Sequence, residues 1–179
     1  MKISFSTLAC PDFSWSDIYS MAKDLGFNGI EVRGIGEETN VVKAKPFTAE
    51  KVDATAAKLA QLGLEVPCLS TGCCLKFAEQ HDAIIEEITA HANLASKLGT
   101  PYIRILADLT PAPDGEVDDN AVGAILKEIA AIAEAKNVML LVETNGVYSD
   151  TARLRKLLDS VNSPAVGALW DMHHPYRYM

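Results

Sequence analysis

The 179-residue sequence predicts a parallel α/β fold of the (β/α) barrel type, and three observations carry that expectation. Short apolar runs begin near residues 3, 30, 65, 102, 138 and 166, so successive strands are spaced by 27 to 37 residues. One segment with apolar residues at helical intervals separates each pair, and strands apolar on both faces belong to a parallel sheet covered by helices. Polar residues stand at the carboxyl ends of several strands, namely Glu31, Arg104, Glu143 and Asp171, where such folds place their ligands. A whole eight-unit barrel takes ~250 residues, so the expectation is an incomplete barrel of about six βα units with the last two missing. The alternative is a six-stranded doubly wound sheet, which is complete at this length. Against it, the first loop is Ala9-Cys10-Pro11-Asp12 rather than a glycine-rich phosphate turn, and no GxxxxGK[ST] occurs. No linker or low-complexity segment divides the chain, so residues 1–179 are expected to form one partial barrel domain.

Each element has a local reason. Ile3 to Leu8 alternates as a strand and meets Cys10-Pro11-Asp12. Ser14 is an N-cap type ahead of Trp15, Ile18, Tyr19, Ala22 and Leu25 at helical spacing, and Gly26 stands where a helix-ending glycine belongs. Gly29 to Arg33 is the second strand. Thr48 is expected to cap a helix with Val52, Ala56, Leu59, Ala60 and Leu62 inward, closed by Gly63. Leu64 to Ser70 is the third strand. Glu79 to Leu98 is a long amphipathic helix, followed by Gly99 and a fourth strand, Tyr102 to Ala107. Pro111, Pro113 and Gly115 keep residues 108–116 out of helix. Asp118 or Asp119 opens the next helix, Val138 to Val142 is strand five, Leu154 to Val161 marks another helix, and Val166 starts strand six.

Composition narrows the function. Hydrophobic residues make up 49% and charged residues 22%, which is globular. The net charge of −8 opposes nucleic acid, because a phosphate-gripping protein needs a basic face. The N-terminus lacks a signal-like apolar core, and no run approaches the ~18 apolar residues of a membrane span. A cytoplasmic location without membrane partners is therefore expected. Cys10, Cys68, Cys73 and Cys74 show no CxxC spacing and are expected to be reduced. The Cys73-Cys74 pair is read as core filling rather than as a soft-metal site.

The chemistry concentrates near the end of the chain. Glu143 ends the buried run Val138 to Val142, and an isolated charge there is expensive unless paired or bound to a cation. Asp171 takes the same place one strand later, and adjacent strands lie ~4.8 Å apart, so both carboxylates can reach one divalent ion. Oxygen-rich ligation beside an imidazole suits Mn²⁺, Mg²⁺, Co²⁺ or Zn²⁺. The competing reading has Glu143 neutralised by Arg104 and Asp171 capping a loop. His173 and His174 are adjacent and would point to opposite sides of an extended chain, so only one faces the site. His174 is favoured, in the spacing Asp171-x-x-His174. Arg104 either holds a substrate oxygen or pairs with Glu143, and Glu31 is either a substrate contact or an orienting partner. His81 and His91 are assigned surface or core places on the long helix, and Trp15 and Trp170 are assigned to packing.

Four segments then resemble one family. They are Leu25-Gly26-Phe27-Asn28-Gly29-Ile30-Glu31-Val32, Ala95-Ser96-Lys97-Leu98-Gly99 ahead of the Arg104 strand, Leu141-Val142-Glu143-Thr144-Asn145-Gly146, and Asp171-Met172-His173-His174. In order and spacing they are similar to the xylose isomerase-like sugar phosphate isomerase/epimerase family, from Met1 to about Pro175. The resemblance implies a TIM barrel, with a divalent metal held by Glu, Asp, His and Glu after strands five to eight. Glu143 and Asp171 match the first two ligands, and His174 matches a substrate-contacting histidine. It also implies that Glu143 exchanges a proton with the carbon beside a ketose carbonyl, with Arg104, Asn145 and Glu31 on the substrate side. The strand-seven His and strand-eight Glu have no counterpart, so the metal is expected to be weakly held. Many members carry His where Asn145 stands, and the ketose 3-epimerase branch has Glu where this chain has Ser149. The implied activity is metal-dependent isomerisation or epimerisation of a sugar, sugar phosphate or polyol. The alternative is a shortened, catalytically inactive member acting as a binding or assembly module. Exposed edges on strands one and six would favour a homodimer or larger assembly in either case. A DNA-repair role like that of endonuclease IV is disfavoured by the acidic charge and by only four histidines.

Overall fold

The computed structural model describes all 179 residues. The order is β1 (Ser4–Ser6), α1 (Trp15–Asp24), β2 (Gly29–Glu31), α2 (Val52–Leu62), β3 (Cys68–Cys74), α3 (His81–Leu98), β4 (Tyr102–Leu106), α4 (Asp119–Glu134), β5 (Met139–Glu143), α5 (Thr151–Val161), β6 (Val166–Leu169) and α6 (His173–Tyr178). The strands are parallel, in two sheets of order β1-β2 and β3-β4-β5-β6. Single parallel bridges, Gly29 to Glu65 and Val32 to Leu69, connect β2 with the approach to β3 and its start. Each strand thus lies beside its neighbour in the chain, as in a barrel, whereas a doubly wound sheet reverses its order at a switch point. The barrel-type reading holds and the doubly wound alternative falls.

Two compact units make up the chain. The first comprises Met1–Thr71 and Ala90–Ile103, and the second Gly72–Thr89 and Arg104–Met179; β3, α3 and β4 contribute residues to both. In the first unit, Ser14 and Asp17 form a reciprocal capping box that starts α1. Its core includes Ile18, Ala22, Ile30, Val32, Leu59 and Leu69. Trp15 packs edge-on against Tyr19 and Phe47, as assigned. Two boundaries differ from expectation. Thr48 does not cap α2; its carbonyl accepts the N–H groups of Lys51 and Val52 in a turn, and Lys51 takes the cap position. Strand β3 begins at Cys68 rather than Leu64, because Pro67 has no N–H to offer a ladder.

In the second unit, Asp118 accepts the N–H groups of Asn120 and Ala121 and starts α4, whose inward face is Val122, Ile125, Leu126, Ile129, Ala130 and Ala133. Strand β5 buries Leu140 and Val142 completely. Its register with β6 sets Leu140 opposite Val166 and Glu143 opposite Leu169. Trp170, expected to pack, is instead 63% exposed, since β6 has already ended at Leu169. The histidines that follow start the short helix α6 instead of lying on extended chain. All four cysteines are buried, and burial pushes the Cys74 thiol up, which keeps it a neutral core filler rather than a thiolate ligand. No helix is long and apolar enough to cross a membrane.

Candidate metal centre

The second unit gathers Glu143, Asp171 and His174. One ligand atom from each lies within 4.8 Å of the others. Strand β5 delivers Glu143 at its last residue, where the apolar run ends and the side chain is only 10% exposed. Asp171 is not the register partner of Glu143. It lies two residues past that partner, Leu169, just outside β6. His174 is on the first turn of α6, with Nδ1 3.9 Å from Glu143 Oε1 and 3.7 Å from Asp171 Oδ2. The structure brings His174, not His173, to the cluster, and by a different geometry from the extended chain expected. The helix, not strand alternation, turns His174 inward and leaves His173 exposed.

Each carboxylate divides its two oxygens between protein and site. Arg104, from β4, donates its Nε–H to Oε2 of Glu143, which leaves Oε1 toward His174. Asp171 Oδ1 accepts the N–H groups of His173 at 2.6 Å and His174 at 3.2 Å, and Oδ2 faces the ring. His174 Nδ1 lies 3.3 Å from the carbonyl oxygen of Thr144. A carbonyl only accepts, so Nδ1 carries the hydrogen and the Nε2 lone pair is available for an ion or a substrate hydroxyl. Two inward oxygens and one imidazole in mutual reach are a donor set that fits a divalent cation.

The turn after β5 is braced from beside. Asp108, two residues past the end of β4, is fully buried and accepts Lys76 Nζ at 3.0 Å, Leu109 N at 2.9 Å and Val147 N at 3.1 Å. Asn145 is 3% exposed, and its side-chain amide donates to the carbonyls of Asp108 and Thr110 at 2.7 and 3.2 Å. The structure therefore turns Asn145 toward the β4 loop, while Arg104 lies against Glu143. In the first unit Glu31 is half-buried and accepts a short hydrogen bond from Ser70, itself 2% exposed. Sequence reasoning missed Asp108, Lys76 and Thr144. Asp108 follows the alternating run Ile103, Ile105, Ala107, so the strand-end rule that singled out Glu143 would have found it.

Fold and site together define a barrel-type βα protein with two carboxylates and an imidazole gathered past the carboxyl ends of β5 and β6. The chain belongs to the xylose isomerase-like TIM barrel family, whose sequence profile matches residues 20–179. A 2-epi-5-epi-valiolone 7-phosphate 2-epimerase from an Actinoplanes species is 25% identical over 160 residues, covering 88% of this chain and 57% of that protein. Among solved structures, the probable 3-DHS dehydratase AsbF involved in petrobactin synthesis from Bacillus anthracis superposes with a TM-score of 0.80 at 23% identity, over 97% of this chain and 64% of the other. The IOLI protein with a bound zinc atom gives 0.78 at 17%, again over 97% and 64%. The chain thus spans less than two thirds of the length of these proteins, and the structural likeness is one of fold.

Proposed function

We propose that Glu143 and Asp171 hold a divalent metal ion at which a sugar, sugar phosphate or polyol is isomerised or epimerised by proton transfer beside a carbonyl. The observation that carries this reading is the convergence of Glu143, Asp171 and His174, with Glu143 Oε1 and Asp171 Oδ2 both left toward the imidazole. Membership of the family and similarity to an epimerase support the reaction class. A bound divalent ion of the Mn, Mg, Co or Zn kind supplies positive charge that stabilises an oxyanion formed next to the migrating proton. Glu143 is the proposed base, held by Arg104 so that Oε1 remains on the site side. His174 offers Nε2 to a substrate hydroxyl, and its Nδ1–H to the Thr144 carbonyl orients the ring. Arg104, which holds Glu143, is also the proposed contact for a substrate oxygen. Asn145 acts on this reading through orientation, given the bonds it already makes.

Titration with Mn²⁺, Co²⁺ and Zn²⁺ on the wild type and on Glu143→Ala tests the proposal. Saturable binding in the wild type, weakened at least about 100-fold in the variant, is the expected result; removing a carboxylate ligand exceeds the ~10- to 100-fold cost of losing an outer partner. A wild type that binds none of the three ions would refute it. Incorporation of deuterium from heavy water beside the carbonyl of a ketose panel would then assign the proton transfer.

A further inference from the structure

We infer that Thr144 is the positioning residue of the cluster: its hydroxyl fixes Asp171, its carbonyl fixes His174, and divalent-ion affinity depends on that hydroxyl. The dependence on ion affinity rests on the metal reading above; the hydrogen-bond geometry does not.

The β5–β6 ladder closes with the Thr144 N–H donating to Leu169 O at 3.0 Å. Past Leu169 the strand ladder no longer holds the chain. Asp171 is flanked by Trp170 and Met172, which are 63% and 72% exposed. Yet a ligand carboxylate must be placed within a fraction of an ångström to be useful. The Thr144 hydroxyl supplies what the sheet no longer does. It accepts the N–H of Asp171 at 2.8 Å and donates to the Asp171 carbonyl at 3.1 Å, so one oxygen substitutes for a rung of backbone pairing in both directions. The residue is 1% exposed, which shields both bonds from water.

Held in this way, Asp171 accepts the N–H groups of His173 and His174 through Oδ1 at the start of α6, and His174 arrives with Nδ1 on the carbonyl of the same threonine. Thr144 is itself immobilised by its successors, because Asn145 and Val147 are bonded to Asp108. A rigid, buried turn therefore lends its order to an exposed segment through one side chain. Thr144 needs to contact neither ion nor substrate to do this.

The isosteric pair Thr144→Val and Thr144→Ser separates the hydroxyl from the shape. Mn²⁺ affinity, read by electron paramagnetic resonance, is expected to fall ~10- to 100-fold in Thr144→Val, the range for outer partners of a metal ligand. Thr144→Ser should stay within about threefold of wild type, since it retains the hydroxyl that the principle turns on. Wild-type affinity in Thr144→Val, or equal loss in both variants, would overturn the inference. A metal-free measurement keeps it testable if no ion binds. Amide hydrogen exchange should show Asp171 N–H protected in the wild type and in Thr144→Ser, and unprotected in Thr144→Val. An Asp171 amide that exchanges in the wild type as fast as in Thr144→Val would sink the positioning role, whatever the metal does.

Discussion

The turn after β5 and the segment after β6 both carry members of the cluster, yet they are built in opposite ways. Residues 143–149 are all buried, and Asn145, Gly146, Val147 and Tyr148 are tied to Asp108, Pro111 and Asp119. Residues 170–179 include Trp170, Met172, Tyr176 and Met179 exposed to solvent. The first region is ordered by what surrounds it; the second borrows order from the first. A site can therefore combine one preformed wall with one lightly held wall, and the two should respond very differently to substitution.

The largest difference should come from Gly146 against Met172. Gly146 has φ of +57°, and a Cβ there would lie 2.2 Å from Asp108 Oδ2. Asp108 cannot yield easily, since Lys76, Leu109 and Val147 all hold its carboxylate. Left-handed backbone disfavours a side chain by roughly 1–2 kcal/mol, and overpacking adds about 1–3 more. Gly146→Ala is therefore expected to destabilise by about 3 kcal/mol or to prevent folding, read by urea unfolding. Met172→Ala should stay within about 0.5 kcal/mol, as exposed substitutions do. Equal costs at the two positions would dissolve the contrast.

The same contrast explains what was legible in the sequence. Strand-end carboxylates announce themselves because a charge after an apolar run needs a reason, and Glu143, Asp171 and the β/α order all followed from that pattern. Asp108 obeys the same pattern and was legible in principle, whereas Thr144 was silent: a threonine after a strand looks like any loop residue, and its role lies in a partner 27 positions away. The β3 start shifted because one proline interrupts a ladder, and α6 was missed because six residues give too short a period to read.

Tyr148 offers a middle-sized test, because it ties the braced turn to α4. Its ring is fully buried and its hydroxyl donates to Asp119 Oδ1 at 2.7 Å. Burial and the bond to Asp119 push the phenol well above its ordinary range. Asp119 feels burial too, which opposes its ionisation, but the bonds from Arg153 and Tyr148 outweigh that and hold its carboxyl below the usual value. Tyr148→Phe should cost about 1 kcal/mol, the net worth of one hydrogen bond. The pH sign follows from the lowered folded pKa of Asp119. Its contribution is present above the unfolded carboxylate pKa and is lost as pH falls through the folded one. Tyr148→Phe should therefore shrink the stability lost in acid, measured by thermal melts from neutral pH to pH 3.

The smallest effect is expected at His81, and it asks whether burial or the mere number of polar contacts makes Asp108 strong. His81 also has two ionic partners, Asp82 at 2.9 Å and Glu128 of α4 at 2.8 Å, but its side chain is 41% exposed. The bond to Glu128, then that to Asp82, raises its pKa above the ordinary histidine value. A raised folded pKa means that the stabilisation is complete below the unfolded pKa and disappears as pH rises through the folded one. Solvent and salt screen such a pair, so the effect should be slight and should fade at high ionic strength. His81→Gln is expected to leave the melting temperature above pH 8 unchanged and to lower it marginally near pH 5.5, with the difference abolished in 1 M salt. A His81→Gln loss as large as that of Gly146→Ala would show that contact number, rather than burial, orders this unit.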